Sequence, residues 1–497
     1  MNALLTLPIL LPIVGAALSV LAGRSRPAQR AISISVLVAM TVISIALLVR
    51  IDRDGVTAVQ AGGWPAPLGI TLVADRFSAM MLVVASMMLL AVLVYAIGQP
   101  GAERHHVGFQ SVYLVLAAGV SASFLTGDMF NLFVAFEMML TASYVLMTLG
   151  GRADQIRTGM TYVVISLLAS ALFVTALALI YAATGTVNMA DLAGRMAELP
   201  EGVRTAFSVL LLVVFGIKAA LFPLFFWLPD AYPTAPSPVT AVFAGLLTKV
   251  GVYAIVRTQT LLFPSDSRSG TLILVAAGLT MLVGVLGAIA QGDVKRILSF
   301  NIVSHIGFMM MGLGLFTAAG LAAAVFYTVH HIVAKTSMFL AGGLIEHVGG
   351  SGRLNRLGGM VRTAPVVAVL FLIPALSLAG VPPLSGFVAK LALVDAGVAK
   401  GSYVIVAVAM FVSLLTLFSM MKIWSGVFWS PADEEPEGRA RVVGRLGGPM
   451  LMVVPTAVLV VLGAAMGIAG APIWALSERA AADLLDPSAY IRSVLAP

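Results

Sequence analysis

The 497-residue sequence contains no cysteine, and only 10% of its residues are charged. The first absence excludes iron–sulfur clusters, thiolate metal sites, disulfides and cysteine nucleophiles together. The second sets the chain apart from soluble domains, in which about a quarter of residues are charged. Lysine is scarce even among the charges, with seven among 29 basic residues. No nucleotide-binding loop, nucleophile elbow or dinucleotide fingerprint stands out, and no polar stretch is long enough to form a cofactor-binding domain. No cofactor is expected.

What the chain has instead is apolar sequence: 60% hydrophobic residues and a mean hydropathy of +1.04. One globular core cannot hide so much, so a lipid bilayer has to be the solvent. A helical span needs about 20 apolar residues. Stretches bounded by charge, Gly or Pro fall near 2–22, 31–49, 77–97, 107–126, 129–149, 159–183, 205–227, 239–257, 270–290, 297–316, 319–345, 364–393, 402–427 and 447–470. They predict an all-α polytopic membrane protein of about 14 transmembrane helices.

The net charge of +7 reads as positive-inside loop charge, and no nucleic-acid partner is expected. The apolar run that opens the sequence is followed, not preceded, by Arg24, Arg26 and Arg30. That order predicts a first span with its N-terminus outside rather than a cleaved signal peptide. Odd-numbered connections are then cytoplasmic and carry 15 basic residues against 10 in the others. Arg104, Lys295, Arg296 and Lys422 count inside; Arg76, Arg257, Arg268 and Lys400 count outside. Both termini are expected outside.

Four basic residues remain, each well inside an apolar stretch: Lys218, Lys249, Lys335 and Lys390. All are lysine, and every arginine falls at or beyond a predicted membrane edge. Arginine keeps its proton in any protein site, whereas a buried lysine can release one. Glu137 is the one acid near the middle of a span. Unpaired, charged and facing lipid, these five groups would cost roughly 12–18 kcal/mol. One lysine can snorkel to an interface; four, with a glutamate, in five different spans indicate a water-lined proton path.

Two spans are interrupted. Lys218 precedes Pro223, Pro229, Pro233, Pro236 and Pro238; Lys390 follows Pro374, Gly380, Pro382, Pro383 and Gly386. Proline removes a helical hydrogen bond, and the freed carbonyls are tolerated at depth only against protein or water. Breaks in corresponding spans of two halves predict inverted repeats with a site at the breaks. The broken helices are the seventh and twelfth, so the repeats comprise spans 4–8 and 9–13. The predicted organisation is 1–106, N-terminal helices 1–3; 107–257, the first repeat; 268–427, the second; and 428–497, a cytoplasmic loop, helix 14 and an external tail.

His330, His331 and Lys335 share one span, and His331 and Lys335 stand an i,i+4 step apart on one face. His305 lies in the preceding span. Neutral histidine relays protons near physiological pH. No carboxylate shares this face at ligand spacing, so no metal site is expected. His105 and His106, beside Arg104, and the run Asp433–Glu437 with Arg439 and Arg441 read as solvated loops. Residues 473–491 read as an external amphipathic helix.

The run from Lys218 through Phe222-Pro223-Leu-Phe-Phe-Trp-Leu-Pro-Asp-Ala-Tyr-Pro-Thr-Ala-Pro-Ser-Pro-Val to Leu246-Leu-Thr-Lys-Val-Gly resembles the proton-translocating antiporter-like subunits. Respiratory complex I, membrane-bound hydrogenases and Mrp cation/proton antiporters share this family. Phe130–Glu137 and Gly380-Val-Pro-Pro-Leu-Ser-Gly-Phe extend the resemblance over nearly the whole chain, which looks most like the D-type subunits of Mrp antiporters. The resemblance implies a fourteen-helix fold and a bacterial plasma-membrane location. It implies A-, B-, C-, E-, F- and G-type partner subunits, with H+ and Na+ as the transported ions. It also implies roles: Glu137 pairs with Lys218, Lys249 continues a hydrated axis through His330, His331 and Lys335, and Lys390 is the far terminal. Some relatives carry glutamate where Lys390 stands. The implied activity is secondary transport. The alternative is the membrane arm of a redox-driven proton pump, an NADH–quinone oxidoreductase or membrane-bound hydrogenase.

Overall fold

The computed structural model describes residues 2–101, 103, 108–431 and 447–495. Arg104, His105, His106, the acidic run 433–437 and Arg439, Arg441 and Arg445 lie outside the described residues. The chain opens with α1 (Asn2–Leu21) and α2 (Arg26–Asp54). A short antiparallel hairpin follows, β1 (Thr57–Gln60) and β2 (Thr71–Ala74), with Thr57 opposite Ala74. Asp75 then caps α3 (Arg76–Gly98): its carboxylate accepts the Ser78 amide while Ser78 answers the Asp75 amide, which satisfies two N-terminal donors at once.

The first repeat comprises α4 (Phe109–Leu125), α5 (Met129–Thr148) and α6 (Ala153–Thr184), then an amphipathic α7 (Met189–Glu198) that hydropathy does not mark as a span. It continues through α8 (Glu201–Ala219), a broken segment containing α9 (Leu228–Ala231), and a long helix formed by α10 (Ser237–Val242), a π-helical turn (Phe243–Leu247) and α11 (Thr248–Leu261). The second repeat has α12 (Gly270–Ala290), α13 (Val294–Leu315), α14 (Ala318–Gly349), a short α15 (Met360–Thr363), the broken pair α16 (Pro365–Ala379) and α17 (Ser385–Ala399), and α18 (Tyr403–Trp424). The chain closes with α19 (Met450–Ile468), α20 (Ala471–Leu485) and α21 (Ser488–Leu495). The tail expected as one amphipathic helix is therefore two, divided at Asp486-Pro487.

Among the described residues twelve helices are long and apolar enough to cross a membrane. The remaining two of the fourteen expected spans are α4, at 17 residues, and the α16–α17 pair, which the break divides into pieces of 15 residues each.

The repeats match most closely over their first three spans, α4–α6 against α12–α14. One fixed spacing carries Ala153 to Ala318 at the start of a 32-residue helix in each half. The same spacing carries Asp128 to Asp293 and Asn188 to Arg353, the partners of two isolated β-bridges. Asp128 and Asp293 each cap the helix that follows, accepting the Asn131 and Arg296 amides. Five crossings per repeat, an odd number, turn the second half over relative to the first.

Both breaks use the same stop. Ala220 (φ 62°) and Gly380 (φ 90°) turn left-handed; the next residues, Leu221 and Val381, donate to the Gly216 and Leu376 carbonyls at 2.9 and 3.0 Å. This is the Schellman closure, in which a left-handed residue lets the chain satisfy its last carbonyls and leave the helix. Pro223 and Pro383 follow three residues after each left-handed residue, both in cis peptides. Burial then sorts the spans: 100% of the best apolar window of Ser237–Leu261 is inside the protein, with 94% for α13 and 89% for α14, against 28% for α2. These three most buried helices carry Lys249, His305, and the group His330, His331 and Lys335.

Candidate proton-relay site

Lys218 lies in the last turn of α8, just before the break, with its ammonium buried. Its Nζ donates to the Ser170 hydroxyl at 3.1 Å and to the Ser166 carbonyl at 3.4 Å, and lies 5.8 Å from the centre of the Phe136 ring. The same Ser170 hydroxyl donates to Glu137 Oε1. Glu137 and Lys218 form no direct ion pair among the described residues; one hydroxyl, accepting from the lysine and donating to the carboxylate, stands between them. A cavity of about 20 Å³ beside Lys218 is lined by Phe136, Tyr162, Ser166 and Trp227 among others, room for roughly one water.

Lys249 stands two residues after the π-helical turn, in the first turn of α11. Its Nζ donates to the Ala244 carbonyl and, at 3.2 Å, to Thr248 Oγ1. A π-helical turn leaves carbonyls out of the regular ladder, and such turns are frequent at functional sites. Lys335, on α14, donates to the Leu298 carbonyl at 3.4 Å. By the spacing that relates the repeats, Lys335 corresponds to Ser170 and His331 to Ser166, so one α6/α14 face carries hydroxyls in one half and titratable groups in the other.

Around α14 the histidines gather. His305 Nδ1 lies 2.6 Å from the Tyr327 hydroxyl, and its ring centroid is 5.1 Å from that of His331. His305 Nε2 and both His331 nitrogens have no hydrogen-bond partner within the protein, and ordered water is the usual partner of buried polar atoms left in this way. His330 Nδ1 meets Ser385 Oγ at 2.8 Å, at the first residue of α17. Gly386 makes that approach feasible, because a Cβ there would sit 1.8 Å from the Ser377 carbonyl oxygen and 3.1 Å from His330 Nε2. Lys390 reaches back across the twelfth-span break to the Ala379 carbonyl at 3.1 Å, over the Phe308 ring at 4.9 Å.

The structure thus brings Glu137 to Lys218 through Ser170, and His330 to the twelfth-span break through Ser385. Direct hydrogen bonds do not join Lys218, Lys249, Lys335 and Lys390 to one another among the described residues.

Sequence reading missed two ion pairs. Arg257, counted as a loop charge beyond the eighth span, is inside α11 and buried, with Nη1 2.6 Å from Asp75 Oδ2. Burial alone would raise the Asp75 carboxyl, but the Arg257 guanidinium and the Ser78 hydrogen bonds hold it below the usual carboxylate range. Lys295, also read as a loop charge, pairs with Glu346 at 2.7 Å, and Ser237 donates to the same Glu346 oxygen at 3.0 Å. The Asp293 carboxyl nearby is raised, chiefly by burial and in part by the Glu346 charge.

A bundle of membrane-length helices, broken twice beside buried lysines and threaded by histidines and hydroxyls, defines a membrane ion transporter of the inverted-repeat class. Residues 126–416 match the family model described as NADH:quinone oxidoreductase/Mrp antiporter, TM. Two Na(+)/H(+) antiporter subunits of the D type are similar over the full length of both chains: 46% identical in Alkalihalophilus pseudofirmus and 37% in Bacillus subtilis. A chain of the Mrp complex from Dietzia sp. superposes with a TM-score of 0.91 at 36% identity, covering 100% of each chain. A chain of an archaeal membrane-bound sulfane sulfur reductase, a respiratory membrane complex, gives 0.90 at 27%, again with full coverage of both. The chain belongs to the NADH:quinone oxidoreductase/Mrp antiporter transmembrane family, in its D-type branch.

Proposed function

We propose that the chain is the proton-translocating membrane subunit of a multisubunit Na+/proton antiporter of the bacterial plasma membrane. In this reading it is a secondary transporter subunit and not an enzyme, both termini face outside, and A-, B-, C-, E-, F- and G-type subunits complete the complex. Residues 107–257 and 268–427 act as the two transport repeats. Residues 1–106 and 428–497 flank them.

The observation that carries the reading is the Glu137–Ser170–Lys218 bridge at the seventh-span break. A negative Glu137 within reach of Lys218 holds a proton on the lysine; separation of the two removes that hold and releases the proton along the axis. Lys249, His331, Lys335 and His330 then pass it through ordered water towards Lys390, and Pro223, Pro382 and Pro383 keep the two breaks open beside the path. Each charge that crosses the full membrane field trades about 2.3 kcal/mol per 100 mV, enough for a proton gradient to drive cation export. Glu137 is engaged by Ser170, which leaves this chain no mid-span acid to hold sodium, so the cation crosses in another subunit. The antiport reading stands ahead of a redox-driven arm because the antiporter relatives are closer in sequence than the respiratory chain, at 46% and 37% against 27%.

The test uses inverted vesicles from an antiporter-deficient bacterium expressing the whole complex. Respiration sets up a pH gradient, and a pH-sensitive dye follows its collapse on sodium addition. Wild type should collapse the gradient. Lys218→Ala, at equal assembled abundance, should do so at least about tenfold more slowly, the effect of a barrier raised by ~1.4 kcal/mol. Equal rates would remove Lys218 from the path; no collapse in either would favour the redox-driven arm.

A further inference from the structure

One end of the long α10–α11 helix is built unlike the rest of the relay. Lys249, Tyr253 and Arg257 succeed one another at four-residue steps on α11, so they share a face and lead from mid-span to the helix end. Beyond Lys249 every polar group on that line is committed. Tyr253 donates its hydroxyl proton to the Phe124 carbonyl at 2.8 Å and accepts from Arg257 Nη2 at 3.2 Å. Arg257 Nη1 holds Asp75 Oδ2 at 2.6 Å, and Asp75 Oδ1 accepts the Ser78 amide at 2.8 Å.

The rings of Phe77, Tyr253 and Tyr490 cover the guanidinium, with centroids 6.0, 5.4 and 5.2 Å away. The Arg257 and Asp75 side chains are only 6% and 4% exposed. Further out, Arg76 pairs with Asp52 and Asp483, and Arg479 with Asp52. The buried atoms without partners, including Asn301 Oδ1, His305 Nε2 and both His331 nitrogens, include none from this line among the described residues.

This arrangement cannot pass a proton. Arginine does not surrender one, the Asp75 oxygens are taken by a cation and an amide, and the single Tyr253 proton is spent on a carbonyl. The opposite end of the same helix differs: Ser237 there touches Glu346, whose side chain is 28% exposed and whose partner is a lysine. We propose that the Asp75–Arg257 pair is a proton seal, which stops the lysine relay from discharging to water at the Arg257 end of the eighth span. The inference rests on the proton-relay reading above. It assigns a function to a pair that would otherwise only pin α21 to α3 and α11.

Passive proton leak across vesicles holding the assembled complex, under an imposed pH gradient and without sodium, tests the seal. Arg257→Gln frees Asp75 as a buried carboxylate able to take up a proton, and leak should rise at least tenfold over wild type. Adding Asp75→Asn, or Lys249→Gln, to Arg257→Gln should restore tightness, because one removes the new acceptor and the other the proton source. Arg257→Lys keeps the pair but not the permanent charge, and should leak even if Arg257→Gln fails to assemble. Tight vesicles with both Arg257 variants, or with Arg257→Lys alone where Arg257→Gln does not assemble, would overturn the seal. So would a leak that survives either second substitution, which would mark a mere hole. Failure of the antiport reading shows separately, as a wild-type complex that leaves its gradient intact when sodium is added.

Discussion

Ser170 decides how Glu137 and Lys218 see each other. With its hydroxyl in place the two charges are bridged and held apart; without it, Lys218 Nζ keeps only the Ser166 carbonyl at 3.4 Å. A hydrogen bond to a charged group is worth about 1.5–3 kcal/mol, so Ser170→Ala should slow sodium-driven gradient collapse by roughly tenfold or more. Ser170→Thr, which keeps a hydroxyl, should stay near wild type, and both should assemble normally. Unchanged transport in Ser170→Ala would show the bridge to be incidental. At this scale the lysines and Glu137 were legible because a charge in an apolar run is an energetic anomaly that demands a reason. Ser170 was not: a serine in a membrane helix can bond its own backbone, so nothing in the sequence marks it. Its role arises from α5, α6 and α8 meeting at one point.

Two breaks, a π-helical turn and a glycine contact set the geometry of the elements. The prolines announced the breaks but not the two left-handed stops, one of which falls on Gly380, a residue free to adopt that backbone. The other, Ala220, carries a side chain, which gave no warning. The π-helical turn before Lys249 has no sequence signature at all, since it depends on how Phe243–Leu247 packs. The repeat was foreshadowed by the positions of the breaks, but its firmest marks, the matched β-bridges at Asp128 and Asp293, are backbone features. Gly251 brings α11 directly against the end of α8: a Cβ there would meet Ala219 N at 2.7 Å and the Lys218 carbonyl carbon at 2.9 Å, both backbone. Gly251→Ala should push α11 away from Lys218, lower the thermal stability of the purified complex by about 1–3 kcal/mol, and slow transport. Gly216→Ala makes an informative contrast. Its Cβ meets only side chains at 3.5 Å or more, and replacing a glycine inside the last turn of α8 should stabilise by up to about 0.5–1 kcal/mol. Equal stability losses in the two variants would refute the packing argument.

For the molecule as a whole, hydropathy gave the class and the span count. It misread Arg257 and Lys295, because bounding apolar stretches by charge counts any charge at a span's end as a loop residue. Whether such a charge is solvated or buried against Asp75 or Glu346 depends on partners far away in the chain. The Asp75–Arg257 pair has a consequence for stability against pH. A carboxylate held below its unfolded value, about 3.9, stabilises the fold above that pH, and this contribution disappears as pH falls through the folded value. Thermal scans of the purified complex should therefore show wild type losing stability below about pH 4. Asp75→Asn should start lower at neutral pH and fall less over the same range. Parallel curves would show that Asp75 does not titrate with folding.

Tyr490 gives the molecule an order in time as well as in space. One of the three rings that cover Arg257, Tyr490, belongs to α21, whereas Asp75 at the cap of α3 and Arg257 in α11 are synthesised long before it. Until the ribosome has delivered α21, that ion pair has only the Phe77 and Tyr253 rings over it. A chain made only as far as α20 therefore carries the most buried ion pair among the described residues partly uncovered, and the arrival of α21 completes its cover.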